Sequence, residues 1–68
     1  MKFDVYGRFA LEVLHTSRGW EVYHLTDGKH VRADDIIIPE DVAAGDIAEY
    51  LDDLLHEMAR PGDRIVKL

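Results

Sequence analysis

From Phe3 the apolar side chains recur at every second position: Phe3 and Val5, then Phe9, Leu11 and Val13, with polar or small residues at most positions between. A period of two is that of a β-strand with one buried face, because successive side chains point to opposite sides of the sheet. Gly7 interrupts the run without shifting its phase, which suits a bend or bulge where the backbone needs freedom. A chain that opens this way commits its first third to a sheet.

The polar stretch "HTSRG" then reads as a turn with "SR" at its tip, and "WEVYHL" as the next strand. In "TDGK", Asp27 and Gly28 can supply the positive backbone angles of a tight type I′ hairpin. A two-residue loop at each turn sets the register. Val13 then faces Val22 and Leu11 faces His24, while His24 faces Val31, Leu25 faces His30 and Val22 faces Ala33. Both hairpins agree on one inner face of Phe9, Leu11, Val13, Trp20, Val22, His24, Val31 and Ala33.

"DDIIIP" is expected to extend the third strand or begin a fourth, ending at Pro39 because proline cannot donate to a ladder. After "EDVAAG" the period changes. Ile47, Tyr50, Leu51, Leu54, Leu55 and Met58 fall at the spacing of an amphipathic helix. Asp46 with Glu49 has the form of a capping box, and Pro61-Gly62 ends the helix. "RIVKL" closes as a short β-like segment that can pair with either edge of the sheet. The expected fold is α+β, a single domain of order β-β-β-α-β, in which an antiparallel sheet of three to four strands packs one face on one helix.

Composition narrows the chemistry. With 68 residues and no cysteine, the chain has a small core and neither disulfide, thiolate metal site nor nucleophilic thiol. No apolar run spans a bilayer and the charged start is unlike a signal peptide, so the expectation is a soluble cytoplasmic protein without membrane contact. The net charge of -6 disfavours nucleic acid as a partner. That charge is unevenly placed: residues 1–33 carry five bases against four acids, and residues 34–68 carry three against ten.

Much of the acid lies on the predicted helix. Glu49, Asp52, Asp53, His56 and Glu57 fall off its apolar stripe, on the solvent side. One reading is a divalent-metal or metal-dependent enzyme site in which Glu49, Asp52, Asp53 and His56 act as ligands. Such a set suits magnesium, manganese or iron better than structural zinc. Arg60 stands where the H-E-x-x-H pattern requires its second histidine, and one helix face supplies few ligands unless a second copy completes the site. The other reading is a solvated acidic face in which Asp52, Asp53 and Glu57 meet a basic partner.

The remaining motifs are sparse. Asp34 and Asp35, as strand neighbours, would point to opposite faces, so they suit an edge gatekeeper better than a chelate. His24 reads as hydrogen-bonded at the margin of the core, and His15 as exposed near a turn. Thr16, Ser17 and Thr26 are the only aliphatic hydroxyls, all in turns, and no glycine-rich phosphate loop occurs, so enzymatic activity is poorly supported.

On the outer sheet face the same register places Ala10, Leu14, Tyr23 and Leu25 among Glu12, Glu21 and Arg32. One helix covers only one face, so this surface is expected to carry a homodimer.

The segments "KFDVYGRF", "DDIIIP" and "IAEYLDDLLHEMARPG" together resemble a small bacterial family of near this length, known only as a domain of unknown function. The likeness covers most of the chain, and "YLDDLLHE" followed by "RPG" is its most specific part. It implies a stand-alone bacterial protein and supplies no activity. In strand order the chain also distantly resembles HicB-type antitoxins, with "IPEDVAAGDIAEYL" similar to their proline-containing approach to the helix. The glycine-rich start and "DLPG" signature of that family are absent; the likeness implies only an acidic protein that masks a basic partner.

Overall fold

A computed structural model describes residues 1–68. Four strands follow one another as a meander: β1 (Lys2–Val5), β2 (Phe9–Thr16), β3 (Gly19–Thr26) and β4 (Lys29–Arg32). A crossover leads to helix α1 (Ile47–Leu55), and β5 (Ile65–Lys67) closes the chain. The sheet has five strands in the spatial order β4-β3-β2-β1-β5, every neighbouring pair antiparallel. The class is α+β as expected, but the order is β-β-β-β-α-β and the strand count exceeds three to four.

The extra strand comes from the opening alternation, which is a hairpin and not one strand. Tyr6 and Gly7 both adopt positive φ, 57° and 69°, and the Arg8 N–H donates to the Val5 carbonyl at 3.0 Å. The chain reverses there, so Val5 pairs with Phe9 and Phe3 with Leu11. Glycine tolerates this left-handed geometry because it has no Cβ. The two later hairpins have the expected registers, with Val13 opposite Val22, Leu11 opposite His24 and His24 opposite Val31. Asp27 (φ 49°) and Gly28 (φ 75°) form the second turn.

"DDIIIP" is neither a strand nor the extension of one. Asp34 and Asp35 form a turn in which the Ile36 N–H donates to the Ala33 carbonyl at 3.1 Å, and the following residues run in irregular backbone. They are therefore not gatekeepers within a strand. Ile36 and Ile38 are nonetheless buried while Ile37 is 73% exposed. The alternation that suggested a strand serves to plug the core from above the sheet.

The capping box does not form either. A single 3-10 turn, Ala44–Asp46, leads into α1, and the Asp46 side chain makes no cap hydrogen bond. The Asp46 N–H donates to the Ala43 carbonyl at 2.9 Å instead. At the far end α1 stops at Leu55 and continues as one 3-10 turn, His56–Met58, before Pro61 is reached. The apolar stripe divides. Ile47 and Leu51 are fully buried, whereas Leu54 and Met58 are 46% and 41% exposed.

The core lies between the inner sheet face and this upper layer: Phe3, Val5, Leu11, Val13 and Val22 from the strands, Ile36 and Ile38 from the crossover, and Ile47 and Leu51 from α1. Burying a side chain of this size contributes about 1.5–3 kcal/mol. Three hydrogen bonds tie the upper layer down. Trp20 Nε1–H donates to the Val42 carbonyl at 3.0 Å, the Tyr50 hydroxyl to the Ile37 carbonyl at 3.0 Å, and the Tyr6 hydroxyl to Asp52 Oδ1 at 2.6 Å. Of the expected inner face, Phe9, Trp20 and His24 are half-buried and Val31 is 50% exposed. Val31 lies on an edge strand, outside the cover of the crossover and helix.

Candidate interaction surfaces

Asp52, Asp53, His56 and Glu57 are all exposed, as is Glu49, but they do not act as one group. Asp52 turns toward the β1–β2 turn and accepts the Tyr6 hydroxyl. Burial of that phenol, reinforced by the bond to Asp52, pushes the Tyr6 pKa up to about 12. His56 Nδ1 lies 2.9 Å from the Asp53 backbone carbonyl, so its ring folds back on the helix end. No group of three or more histidine, aspartate or glutamate side chains is arranged to hold a metal ion. Within one chain the ligand set of Glu49, Asp52, Asp53 and His56 therefore does not converge.

Glu49 and Asp53 instead join two acids that helix periodicity alone does not single out. With Asp41 and Asp46 they line an open groove of about 410 Å³, whose other walls are Val42, Ala43 and Tyr50. The sequence signal for these two was the excess of acid in residues 34–68, of which Asp41 and Asp46 fall before the helix begins. The one salt bridge of the fold between always-charged partners is Arg32 with Asp34, and two histidines also lie against carboxylates, His15 at Glu40 and His30 at Glu12. None neutralises a carboxylate of the groove.

The outer face of the sheet differs in character. Strand register arranges it in cross-strand rows: Lys2, Glu12, Tyr23 and Arg32 in one, and Asp4, Ala10, Leu25 and His30 in the next, where Val66 adjoins Asp4. Leu14 stands beside Glu21 in a third row. Ala10, Tyr23 and Leu25 are half-buried and Leu14 is exposed. Some of its polar groups pair across strands, and others are held by the adjoining turns.

His30 Nε2 lies 2.8 Å from Glu12 Oε1, and that bond holds the Glu12 carboxyl below its ordinary range. The Tyr23 hydroxyl donates to Glu21 at 2.9 Å, lowering the Glu21 pKa and raising its own. Thr16 also donates to Glu21, at 3.3 Å, and the Arg32 guanidinium lies 5.8 Å from the centre of the Tyr23 ring. The Asp4 carboxylate accepts the Gly7 N–H at 3.1 Å.

Fold and surfaces together define a small α+β domain with an acidic groove on one side and a charge-patterned sheet on the other. The chain belongs to the family described as a domain of unknown function, DUF7661, whose model matches residues 1–68. No curated protein and no solved structure matches it. Four strands precede the helix, where the likeness to HicB-type antitoxins counts three. No helix is long and apolar enough to cross a membrane.

Proposed function

We propose that the chain is a non-enzymatic protein-interaction module that forms a homodimer through its sheet and engages a basic protein partner through the acidic side of α1. The observation that carries this reading is the groove of Asp41, Asp46, Glu49 and Asp53, which brings four carboxylates together without an internal salt bridge. Like charges gathered in one place raise the local potential, which steers an oppositely charged partner and selects against acidic ones. Asp53 belongs to the groove, Glu57 extends the acidic side beyond α1, and Asp52 serves chiefly to hold the helix. Ala10, Leu14, Tyr23 and Leu25 belong to the dimer surface. In this reading the protein is bacterial, as the resemblance carried by its "YLDDLLHE" and "RPG" segments implies, and works in the cytoplasm.

Titration of isotopically labelled protein with a lysine-rich peptide, followed by amide shifts, tests the partner. The shifts should concentrate on residues 41–53, diminish as salt is added, and vanish in the double variant Glu49→Gln, Asp53→Asn. Shifts spread evenly over the outer face, or none at all, would overturn it. Sedimentation at high micromolar concentration tests the homodimer, which a strictly monomeric protein would refute.

A further inference from the structure

Resting on the reading that the sheet carries a homodimer, we propose that two copies pack outer face to outer face about a twofold axis crossing the strands at the level of Leu11, so that Lys2 of each copy meets Asp4 of the other. The register supplies the argument. Lys2, Glu12, Tyr23 and Arg32 form one row and Asp4, Ala10, Leu25 and His30 the row beside it. Between them lies the level of Phe3, Leu11, His24 and Val31, whose side chains point to the inner face. An axis through that level maps each row of one copy onto the other row of its mate.

The result is complementary. Lys2 falls on Asp4, the Tyr23 ring on Leu25, and the Glu12 stem on the small Ala10, each contact occurring twice. Three alternative axes meet like charges. An axis along the first row stacks Glu12 on Glu12 and Lys2 on Lys2; one along the second stacks Asp4 on Asp4; one along β2 stacks Glu12 on Glu12 and leaves Leu25 facing Asp4. The chosen axis brings Arg32 toward His30 at the sheet edge, where each already has its own carboxylate, Asp34 at 3.6 Å and Glu12 at 2.8 Å.

Size sets the strength. Five strands spaced about 4.8 Å apart make a face roughly 24 Å across. A face this small sets a small interface, of the size class in which association is reversible and depends on concentration.

Sedimentation velocity across the micromolar range tests the axis with three samples: Lys2→Glu, Asp4→Lys and their equimolar mixture. Each variant alone should dimerise at least ~10-fold more weakly, since its mate presents the same sign at both contacts. The mixture should return to wild-type association, because the introduced carboxylate then faces the introduced ammonium while the unchanged Asp4 faces the unchanged Lys2. Circular dichroism checks the fold of Asp4→Lys, which removes the acceptor for the Gly7 N–H. Lys2→Glu removes no side-chain hydrogen bond but sets a carboxylate opposite Glu12 on the next strand, so circular dichroism checks its fold as well, and its loss of association is required on its own. A wild-type dimer that both variants leave intact would overturn the axis while self-association stands. A wild-type protein that stays monomeric throughout would refute the homodimer reading itself.

Discussion

Along β2 the two faces of one strand follow different physics. Leu11 and Val13 are fully buried on the inner face, under the crossover and α1, and their contribution comes from water excluded by close packing. Glu12 and Leu14, alternating with them, face outward; Glu12 takes His30 as a cross-strand partner, and Leu14 remains 41% exposed. The inner face is a stability surface and the outer face a patterned one. Neighbouring residues on one strand should therefore respond to substitution on very different scales.

The sharpest break in that comparison is Leu11→Ala. It opens a cavity under the layer that covers the sheet, and chemical denaturation should show a loss of about 2–5 kcal/mol. A loss below ~1 kcal/mol would mean that the inner face is loosely packed.

Tyr6→Phe comes next and asks how the upper layer is fastened. Removing the hydroxyl that reaches Asp52 should cost about 1–3 kcal/mol, measured in the same way. The buried, hydrogen-bonded phenol also has a pH signature. An unfolded tyrosine releases its proton near 10.0, whereas folded Tyr6 keeps it to about 12, so the folded state binds more protons in that window. Its stabilisation is complete below pH 10 and is lost as pH rises toward 12. That alkaline decline should be shallower in Tyr6→Phe.

Gly28→Ala probes the turn that sets the outer register. No atom lies near its missing Cβ, so the expected cost of about 1 kcal/mol arises from the φ of 75° alone. Leu14→Ala should change stability by less than about 0.5 kcal/mol while weakening self-association, which separates the two faces by function. Glu12→Gln is the smallest: its denaturation midpoint at neutral pH should be barely displaced. Below the ordinary carboxylate range the variant should lose less stability than wild type does, because the folded Glu12 pKa is lowered and its contribution disappears as the group is protonated.

Much of the sheet was legible because parity reports a two-residue turn. Inner-face residues change from odd (Leu11, Val13) to even (Val22, His24) across Ser17 and Arg18, and back to odd (Val31, Ala33) across Asp27 and Gly28. Between β1 and β2 three residues intervene, Tyr6, Gly7 and Arg8, and parity does not change. A hairpin with an odd loop and an uninterrupted strand then leave the same pattern. The same ambiguity affected Ile36 and Ile38, whose alternation is real although their backbone joins no ladder. For the candidate sites, helix spacing placed Asp53 and Glu49 outward but could not add Asp41 and Asp46, which reach the groove from the connecting segment.

What the sequence determined by itself is local: the inner and outer residues of β2 and β3, the Asp27-Gly28 turn, the existence of α1, and the crowding of acid after Asp34. Each depends on side chains a few positions apart. The tertiary structure decided the reversal at Tyr6 and Gly7, the place of β5 beside β1, and the diversion of Asp52 from the acidic face to the Tyr6 hydroxyl. These depend on partners far along the chain, 46 residues away for Tyr6 and Asp52, where no local periodicity carries information and burial of the whole core selects the arrangement.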